Sequence, residues 1–329
     1  MRVLITGSSG QIGTNLGLRL AADGHAVIGI DCRPNPWTPA IPTHPLDLAQ
    51  PQPARAGWLG AVAVGRVDAV VHLAAHAKVH ALVERPVGAL ENHVMVVNAL
   101  EFARANRVPV LLASSREVYG NVVRRTPVPE RAADFRNAPS PYAAMKLAGE
   151  ALAAAYRRCY GLPFAVIRFS NVYGRYDNDL ERLERAIWIF CRSIRDGRPI
   201  TVFGADKTLD FTYVDDAVAG LASCLDRLVA RDPGVEGETF NLAYGEGRRL
   251  VEVVHLIAEA LGRPADLRLD QPRPGEVTWY VADISKARAR LGYAPQVPVP
   301  VGLRRALAWA AEASGQPSGV RARVLASHA

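Results

Sequence analysis

The chain has 329 residues, of which 49% are hydrophobic and 22% are charged, a balance typical of globular proteins and not of disordered or collagen-like ones. This length accommodates one large α/β domain and a smaller one. The formal net charge is +7, but the arginines are dispersed along the chain, which argues against the concentrated basic stripe of a nucleic-acid-binding protein.

The N-terminal segment MRVLITGSSG is typical of a strand followed by a glycine turn, and it lacks the features of a secretory signal. No apolar run approaches the roughly 20 residues that a membrane span needs. The four cysteines form no CxxC pair, which suits reduced thiols better than disulfides or a zinc site; they are Cys32, Cys159, Cys191 and Cys224. We therefore expect a cytoplasmic protein without a structural metal.

The first half of the chain alternates hydrophobic, strand-like runs with segments of helical periodicity. Strands are predicted at Arg2–Thr6, His25–Ile30, Val67–Ala74, Pro109–Ala113 and Pro163–Arg168, and helices at Gln11–Asp23, Val87–Asn106 and Tyr142–Tyr160. Buried strands that alternate with helices indicate an α/β fold with a doubly wound parallel sheet, covered by helices on both faces.

After Asn171 the pattern becomes less regular. Helices are predicted at Leu180–Asp196, Asp215–Val229, Leu250–Leu261 and Val301–Glu312, and a strand at Thr239–Leu242. Between the first two of these helices lies GRPITVFGADKTLDFTYV, a stretch that Gly and Pro punctuate. We expect a large domain over residues 1–170, with the chain returning to it around 205–240, and a smaller domain over 171–312. The tail, 313–329, has no clear pattern, which is compatible with disorder.

The first predicted strand ends in a glycine-rich turn, GSSGQIG, at residues 7–13. Gly7 permits a tight turn, Gly10 lets the backbone approach a pyrophosphate, and Gly13 lets the next helix pack closely on the sheet. The helix N-terminus offers N–H groups and a positive dipole end to the anion, and Gln11 and Ile12 lie in this turn. The strand–turn–helix context predicts a dinucleotide site.

Asp31 closes the second predicted strand, at the distance from the glycine turn that a ribose-binding carboxylate requires. A carboxylate there accepts hydrogen bonds from a ribose diol and repels a 2′-phosphate, so NAD is favoured over NADP. Arg33, two residues further on, weakens this preference slightly.

A second group of polar residues follows the strand Pro109–Ala113, where SSREVYG occupies residues 114–120, and SPYAAMK opens a helix at residues 140–146. Tyr142 and Lys146 are four residues apart and therefore share one face of that helix. A neighbouring ammonium and an oxidised nicotinamide both lower the pKa of a phenol, which is near 10 in water. Tyr142 is then a usable base near neutral pH.

GSSGQIG, Asp31, HLAA (residues 72–75), SSREVYG, YAAMK and RFSNVYG (residues 168–174) occur in this order. Together they resemble the extended short-chain dehydrogenase/reductase family, specifically its NAD-dependent nucleotide-sugar epimerase/dehydratase branch. The resemblance extends from residue 1 to about 312. It implies a Rossmann-type NAD-binding domain over 1–170, a mainly sugar-nucleotide-binding domain over 171–312, and a homodimer.

The resemblance also implies individual roles. Ser115 would bind the reacting hydroxyl of the sugar, Tyr142 would abstract its proton, and Lys146 would hold the nicotinamide ribose and tune Tyr142. Further cofactor contacts are implied for Asp47, Leu48, Leu73, Ala74 and Ala75, support of the active site for Asn92, and substrate contacts for Asn171 and Arg273. His72, His76 and His80 follow a strand end and a loop, and we do not expect them to bind a metal.

Two positions depart from the family pattern. Many members place an Arg where this chain has Leu209, so one phosphate contact is missing unless Lys207 replaces it. Related sugar 4,6-dehydratases carry an Asp-Glu pair where this chain has Arg116 and Glu117. Glu117 remains a candidate catalytic carboxylate, and Arg116 is a candidate for bidentate pairing with a carboxylate of the substrate.

The implied first step is oxidation of a nucleotide-linked sugar at C4, with Tyr142 taking the hydroxyl proton. Return of the hydride to the opposite face gives the 4-epimer, and this reaction needs only Ser115, Tyr142 and Lys146. A nucleotide-sugar 4-epimerase of the UDP-glucose 4-epimerase type is therefore the leading hypothesis. A dehydratase or a UDP-glucuronate decarboxylase that uses Glu117 is the alternative, and an NAD-sensing regulator is the non-enzymatic one.

Overall fold

A seven-stranded sheet forms the centre of the computed structural model, which describes residues 1–50, 65–122, 125–177, 185–273 and 276–314. The strands are β1 (Arg2–Thr6), β2 (Ala26–Asp31), β3 (Thr43–Pro45), β4 (Ala69–His72), β5 (Val110–Ser115), β6 (Phe164–Phe169) and β10 (Thr239–Leu242). Their order is β10-β6-β5-β4-β1-β2-β3, and each neighbouring pair is parallel. The predicted α/β fold with a parallel sheet is confirmed.

Helices cover both faces of this sheet. They are α1 (Gln11–Ala22), α2 (Val79–Glu84), α3 (Val87–Asn106), α4 (Pro141–Tyr160) and α6 (Val214–Val229). In β1, Val3 and Ile5 belong to the core cluster that contains residues of α1 and α6. Leu4 points to the opposite face and joins the cluster that contains residues of α3 and α4. This alternation explains why the strands are hydrophobic at successive positions.

A smaller α/β region follows the sheet. Its strands are β7 (Asn171–Tyr173), β8 (Ile200–Phe203), β9 (Thr208–Tyr213), β11 (Gly247–Arg249), β12 (Leu267–Asp270) and β13 (Trp279–Tyr280), and its helices are α5 (Ala186–Arg195), α7 (Leu250–Leu261) and α9 (Val299–Ser314). Helix α8 (Ser285–Leu291) packs against α6 and β10 of the large sheet region. β9 pairs with β7, β11 and β13, and β8 pairs with β12. The chain returns to the large sheet through α6 and β10, after β7, β8 and β9.

The stretch GRPITVFGADKTLDFTYV forms two strands, β8 and β9, which its Gly and Pro content did not suggest. Gly197 and Gly204 have φ angles of +64° and +86°, so they make the turns before and after β8 and leave the segments between them extended. Helix α5 begins at Ala186; residues 180–184 of the predicted helix lie outside the described residues. Ala313 and Ser314, assigned to the tail, end helix α9 instead, and 315–329 also lie outside.

Candidate active site

The glycine-rich turn has the close packing that a phosphate loop needs. Gly7 has a φ of +73°, and a Cβ atom on it would lie 2.7 Å from the backbone nitrogen of Ala74. A Cβ on Gly13 would collide with the carbonyl oxygen of Gly7. Gly10 precedes helix α1 without a side-chain cap, which leaves N–H groups of the first turn for an anion. These residues fit a dinucleotide pyrophosphate.

Asp31 ends β2 next to this turn and is buried. Its carboxylate accepts hydrogen bonds from the backbone N–H groups of Ser9 and Arg33, each at 3.1 Å. The Arg33 Nε atom lies 3.9 Å from the same carboxylate. The two backbone bonds fix the orientation of Asp31, as a ribose-binding carboxylate requires.

The other predicted cofactor residues occupy different environments. Leu73, Ala75, Gln11 and Ile12 line a cleft of about 480 Å³ beside the glycine turn. Ala74 lies behind Gly7 and is not among the residues that line the described part of this cleft. The Asp47 carboxylate accepts the N–H of Ala49 at 2.9 Å, and Leu48 is buried in the core; neither lines that part of the cleft.

Ser115, Tyr142 and Lys146 line the same cleft as the glycine turn. Ser115 ends β5, and its Oγ atom accepts the backbone N–H of Glu117 at 3.2 Å, capping a short 3₁₀ turn. Helix α4 begins beside it, because Ser140 caps the helix by accepting the N–H of Ala143 at 3.2 Å. The cap places Tyr142 and Lys146 in the first turns of α4, on the face that points into the cleft.

Burial sets the charge states of this pair. It raises the pKa of Tyr142 to about 12, and the opposing hydrogen bond with Ser115 does not offset it. Burial also lowers the pKa of Lys146 to about 8, against the charge of Glu150. The Lys146 Nζ atom lies 5.6 Å from the centre of the Tyr142 ring and donates to the carbonyl oxygen of Ala113 at 2.9 Å.

Among the protein groups, burial has the largest effect on the pKa of Tyr142. The expectation from the sequence included the positive charge of an oxidised nicotinamide as well as Lys146, so the role of Tyr142 as a base stays a prediction.

Arg116 and Glu117 form an ion pair inside the cleft wall. The Nη2 atom of Arg116 lies 2.8 Å from the Oε1 atom of Glu117, and their side chains are 12% and 11% exposed. The Nε atom of Arg116 donates to Oδ1 of Asn171 at 3.3 Å. Asn171 in turn donates to the carbonyl oxygen of Asp210 at 2.8 Å. The carboxylate of Glu117 is thus already paired.

The remaining predicted substrate residues are more scattered. Lys207 lines the cleft and pairs with Glu276 at 2.8 Å. Arg273 is exposed, and the Cζ atom of its guanidinium lies 3.8 Å from the centre of the Phe203 ring. It is not among the residues that line the described part of the cleft. Leu209, where an Arg was expected, is buried and lines the cleft.

Asn92 holds the loop after β4 instead of lining the cleft. Its side chain accepts the backbone N–H of His76 at 2.6 Å and donates to the carbonyl oxygen of the same residue at 3.0 Å. His72 is buried against Thr6, and His76 and His80 pair with acidic side chains. Among the described residues, no three His, Cys, Asp or Glu side chains come together as a metal site would require.

Asp177, Arg185 and Trp188 also line the cleft, and they were missed from the sequence. Arg185 donates to the side-chain oxygen of Gln11 at 2.5 Å. Asp177 accepts the indole N–H of Trp188 at 2.9 Å and lies 3.6 Å from Arg185. A sequence pattern could not have predicted these contacts, because Gln11 and Arg185 are 174 residues apart in the chain.

Residues 3–243 match the model of the family described as "NAD dependent epimerase/dehydratase family". The chain is 31% identical to UDP-glucuronate 4-epimerase 5 of Arabidopsis thaliana, over 94% of this chain and 75% of that protein. It is 32% identical to UDP-glucose 4-epimerase of Mycolicibacterium smegmatis, over 93% and 97%.

Among solved structures, the UDP-glucose 4-epimerase of Thermus thermophilus in complex with NAD superimposes with a TM-score of 0.82 at 29% identity, covering 94% of this chain and 98% of that one. The family match spans more than half of the chain, and the expected resemblance and the NAD cofactor are confirmed. The chain therefore belongs to the NAD-dependent epimerase/dehydratase family of enzymes.

Proposed function

We propose that this enzyme catalyses the NAD-dependent 4-epimerisation of a UDP-linked sugar. The relatives described above act, by their names, on UDP-glucuronate or UDP-glucose at C4. The observation that carries the proposal is the state of the carboxylates in the cleft. Glu117 is paired with Arg116, and Asp177 is held by Arg185 and Trp188.

A 4-epimerase needs a base for the C4 hydroxyl but none for C5. Elimination of water from the sugar requires a base that reaches the C5 proton, and a carboxylate bound to a guanidinium of the protein must first leave that contact. The two carboxylates that line the described part of the cleft are both paired with an arginine. The arrangement thus favours epimerisation over dehydration.

The residues with a direct role in this reaction have separate functions. Ser115 donates a hydrogen bond to the C4 oxygen, and Tyr142 takes the hydroxyl proton and later returns it. Lys146 is buried beside Tyr142 and binds the nicotinamide ribose. The glycine turn and Asp31 hold the pyrophosphate and the adenosine ribose. When bound, NAD supplies reversible hydride transfer at C4.

Different residues are candidates for binding the sugar and the nucleotide diphosphate of the substrate. Asn171 and Arg116 lie beside Ser115 and face the sugar. Lys207 is the cation nearest in sequence to Leu209, the position without the expected Arg, and we assign it to the diphosphate. Arg273 lies outside the described cleft wall, and its predicted pyrophosphate contact requires it to leave the ring of Phe203.

We also propose a homodimer through α3 and α4. Val87 and Leu90 on α3 and Tyr160 on α4 are each 59% exposed, so both helices have apolar side chains at the surface that a second copy of the chain would cover. A cytoplasmic location agrees with the four free cysteines. Among the described residues, no helix has the length and hydrophobicity needed to cross a bilayer.

The test is incubation of the purified enzyme with UDP-glucose and with UDP-glucuronate in D₂O, followed by mass spectrometry and NMR. We expect inversion at C4 without deuterium at C5 and without added NAD, because the cofactor is regenerated in each cycle. Deuterium at C5, or loss of water or CO₂, would contradict the epimerase proposal and favour a lyase that uses Glu117.

A further inference from the structure

Arg116 has more hydrogen-bond donors than its protein neighbours use. Its Nε atom donates to Asn171 and its Nη2 atom pairs with Glu117. The guanidinium also lies 5.8 Å from the ring centre of Tyr280. Within the described part of the chain, the buried Nη1 atom has no hydrogen-bond partner.

An unsatisfied donor on a charged group is costly. A buried polar atom without a partner loses its hydration and gains no hydrogen bond in return, and the penalty is larger on a charged group. Most buried side-chain donors in folded proteins are paired. The Nη1 atom belongs to a residue that lines the active-site cleft, so a ligand oxygen is a natural partner for it.

The position of Arg116 defines which part of the sugar it can contact. It follows directly on Ser115, the residue assigned to the C4 oxygen, and consecutive Cα atoms are about 3.8 Å apart. C5 is bonded to C4 and carries C6, so the oxygens on C6 lie one substituent away from the reacting hydroxyl. Arg116 lines the same cleft as Ser115 and Tyr142, and it is close enough to Tyr142 for its charge to lower the pKa of that phenol. The groups next to C4, which are C6 and the C3 hydroxyl, are therefore the ones that the guanidinium can contact.

Resting on the proposed 4-epimerase function, we infer that Arg116 is the specificity-determining residue that binds a C6 carboxylate, which makes a nucleotide-linked hexuronate the preferred substrate. Four cations and two carboxylates line the described cleft: Arg116, Lys146, Arg185 and Lys207 against Glu117 and Asp177. The cleft therefore accommodates negative charge. A guanidinium binds a carboxylate through parallel charge-assisted hydrogen bonds, whereas a hydroxymethyl group offers one neutral acceptor.

Glu117 shares the guanidinium with the substrate in this arrangement. It pairs with Nη2, and the substrate carboxylate takes Nη1. Because Nη1 is covered, the guanidinium must turn toward the cleft, and its hydrogen bond of 3.3 Å to Asn171 is long enough to yield. Two carboxylates on one guanidinium repel each other, so Glu117 weakens hexuronate binding while Arg116 strengthens it.

The opposite roles of the two residues give the test. We would measure kcat/KM with UDP-glucuronate and UDP-glucose for the wild type, Arg116→Gln, Arg116→Lys and Glu117→Gln. The wild type should prefer UDP-glucuronate. Arg116→Gln should lower kcat/KM for UDP-glucuronate roughly 10–150-fold, as expected for a hydrogen bond to a charged group, and lower it much less for UDP-glucose. Arg116→Lys should recover only part of the loss.

Glu117→Gln separates a binding role from a structural one. It removes the competing carboxylate, so it should tighten UDP-glucuronate binding relative to UDP-glucose, whereas a merely structural ion pair predicts equal losses for both sugars. Dissociation constants measured calorimetrically in a Tyr142→Phe background give this comparison without turnover. The matched control is Arg227→Gln, which removes a guanidinium from a surface ion pair with Asp232 and should change neither sugar's binding.

Equal losses for both sugars in Arg116→Gln would overturn the inference, because Arg116 would then contact a group that the two sugars share. A wild-type preference for UDP-glucose would also overturn it. Failure of the proposed function can be told apart from failure of this inference. A product that has lost water or CO₂ would refute epimerisation, whereas the dissociation constants would still show whether Arg116 binds the C6 carboxylate.

Discussion

Arg168 and Glu150 form a doubly hydrogen-bonded ion pair behind the carboxyl end of strand β5, with Nε–Oε1 and Nη2–Oε2 distances of 3.0 and 2.6 Å. Ser114 donates to the same carboxylate at 2.5 Å. Glu150 is one helical turn after Lys146 on α4, and Ser114 precedes Ser115. The pair therefore links strand β6 to the two elements that carry Ser115, Tyr142 and Lys146, the proposed catalytic residues.

Glu150→Gln should destabilise the protein by roughly 3 kcal/mol, because it leaves Arg168 charged, buried and without its ionic partner. The two side chains are 6% and 12% exposed. Chemical denaturation measures the loss. The control is Asp23→Asn, which breaks an exposed pair with Arg19 at the end of α1 and should cost at most about 1 kcal/mol. Equal losses in both variants would show that burial of the first pair is unimportant.

Gly13→Ala should lower the content of bound NAD, since the added methyl group collides with the carbonyl of Gly7 and lies 2.8 Å from Cα of Ser8. Both partners are backbone atoms of the phosphate loop, which must move. We expect a loss of NAD affinity of roughly 5–150-fold, which corresponds to an overpacking cost of about 1–3 kcal/mol. NAD released on denaturation would be quantified by chromatography.

Gly17→Ala is the matched control for this change, because it lies one turn further along α1. Its methyl group would meet the side chain of Ile41 and, more distantly, that of Val27, and no atom of the glycine turn is involved. This variant should keep its NAD, even if its stability falls. A Gly13→Ala protein with a full complement of NAD would contradict the assigned packing.

Tyr142→Phe should reduce kcat by about 10²–10⁴-fold, the usual contribution of a positioned acid–base group. The ring and its packing remain, so the variant should fold and retain NAD. Epimerisation is measured by NMR and cofactor content by absorbance. Turnover close to the wild-type rate would exclude Tyr142 as the proton acceptor.

His72 should make the protein less stable in acid. Burial lowers its pKa to about 3, below the value of 6.5 for an unfolded chain, so the folded state binds its proton less readily. Above pH 6.5 His72 is neutral in both states, and the free energy of unfolding is unaffected by it. As the pH falls from 6.5 toward 3, only the unfolded chain binds the proton, so the free energy of unfolding decreases. At pH 4.5 the loss is about 2–3 kcal/mol.

Unfolding free energies at pH 7.5 and pH 4.5 test this prediction. His72→Gln should show a smaller difference between the two conditions than the wild type. The same substitution at His255, which is exposed on α7, controls for titration at the surface. An unchanged pH dependence in His72→Gln would mean that other groups cause the acid sensitivity.

The parallel sheet was predictable because its strands are hydrophobic at consecutive positions. Phe164–Phe169 is buried at all six residues, and such a run has few alternatives to a strand between two helix layers. Strands β8 and β9 were not predicted. The glycines that flank β8, Gly197 and Gly204, are also typical of loops, and this hid the strand signal of the segment.

The grouping of Ser115, Tyr142 and Lys146 in one cleft was predictable because the motifs that carry them occur in a recognisable order along the chain. The contact of Arg185 with Gln11 was not, since it depends on how α5 packs against the glycine turn. The effect of burial on the pKa of Tyr142 could not be predicted either. Sequence spacing gives the distance to Lys146 but not the degree of burial, and burial has the larger effect on the pKa.

Strand β10 completes the large sheet only after the chain has formed three strands of the smaller region. A protein truncated near residue 170 would lack this strand, and β6 would become an unprotected edge with free backbone N–H and C=O groups, which promotes aggregation. The same situation arises during translation, because β6 remains unpaired on one side until residue 242 has left the ribosome. A protein fragment designed to carry only the cofactor site should therefore include α6 and β10.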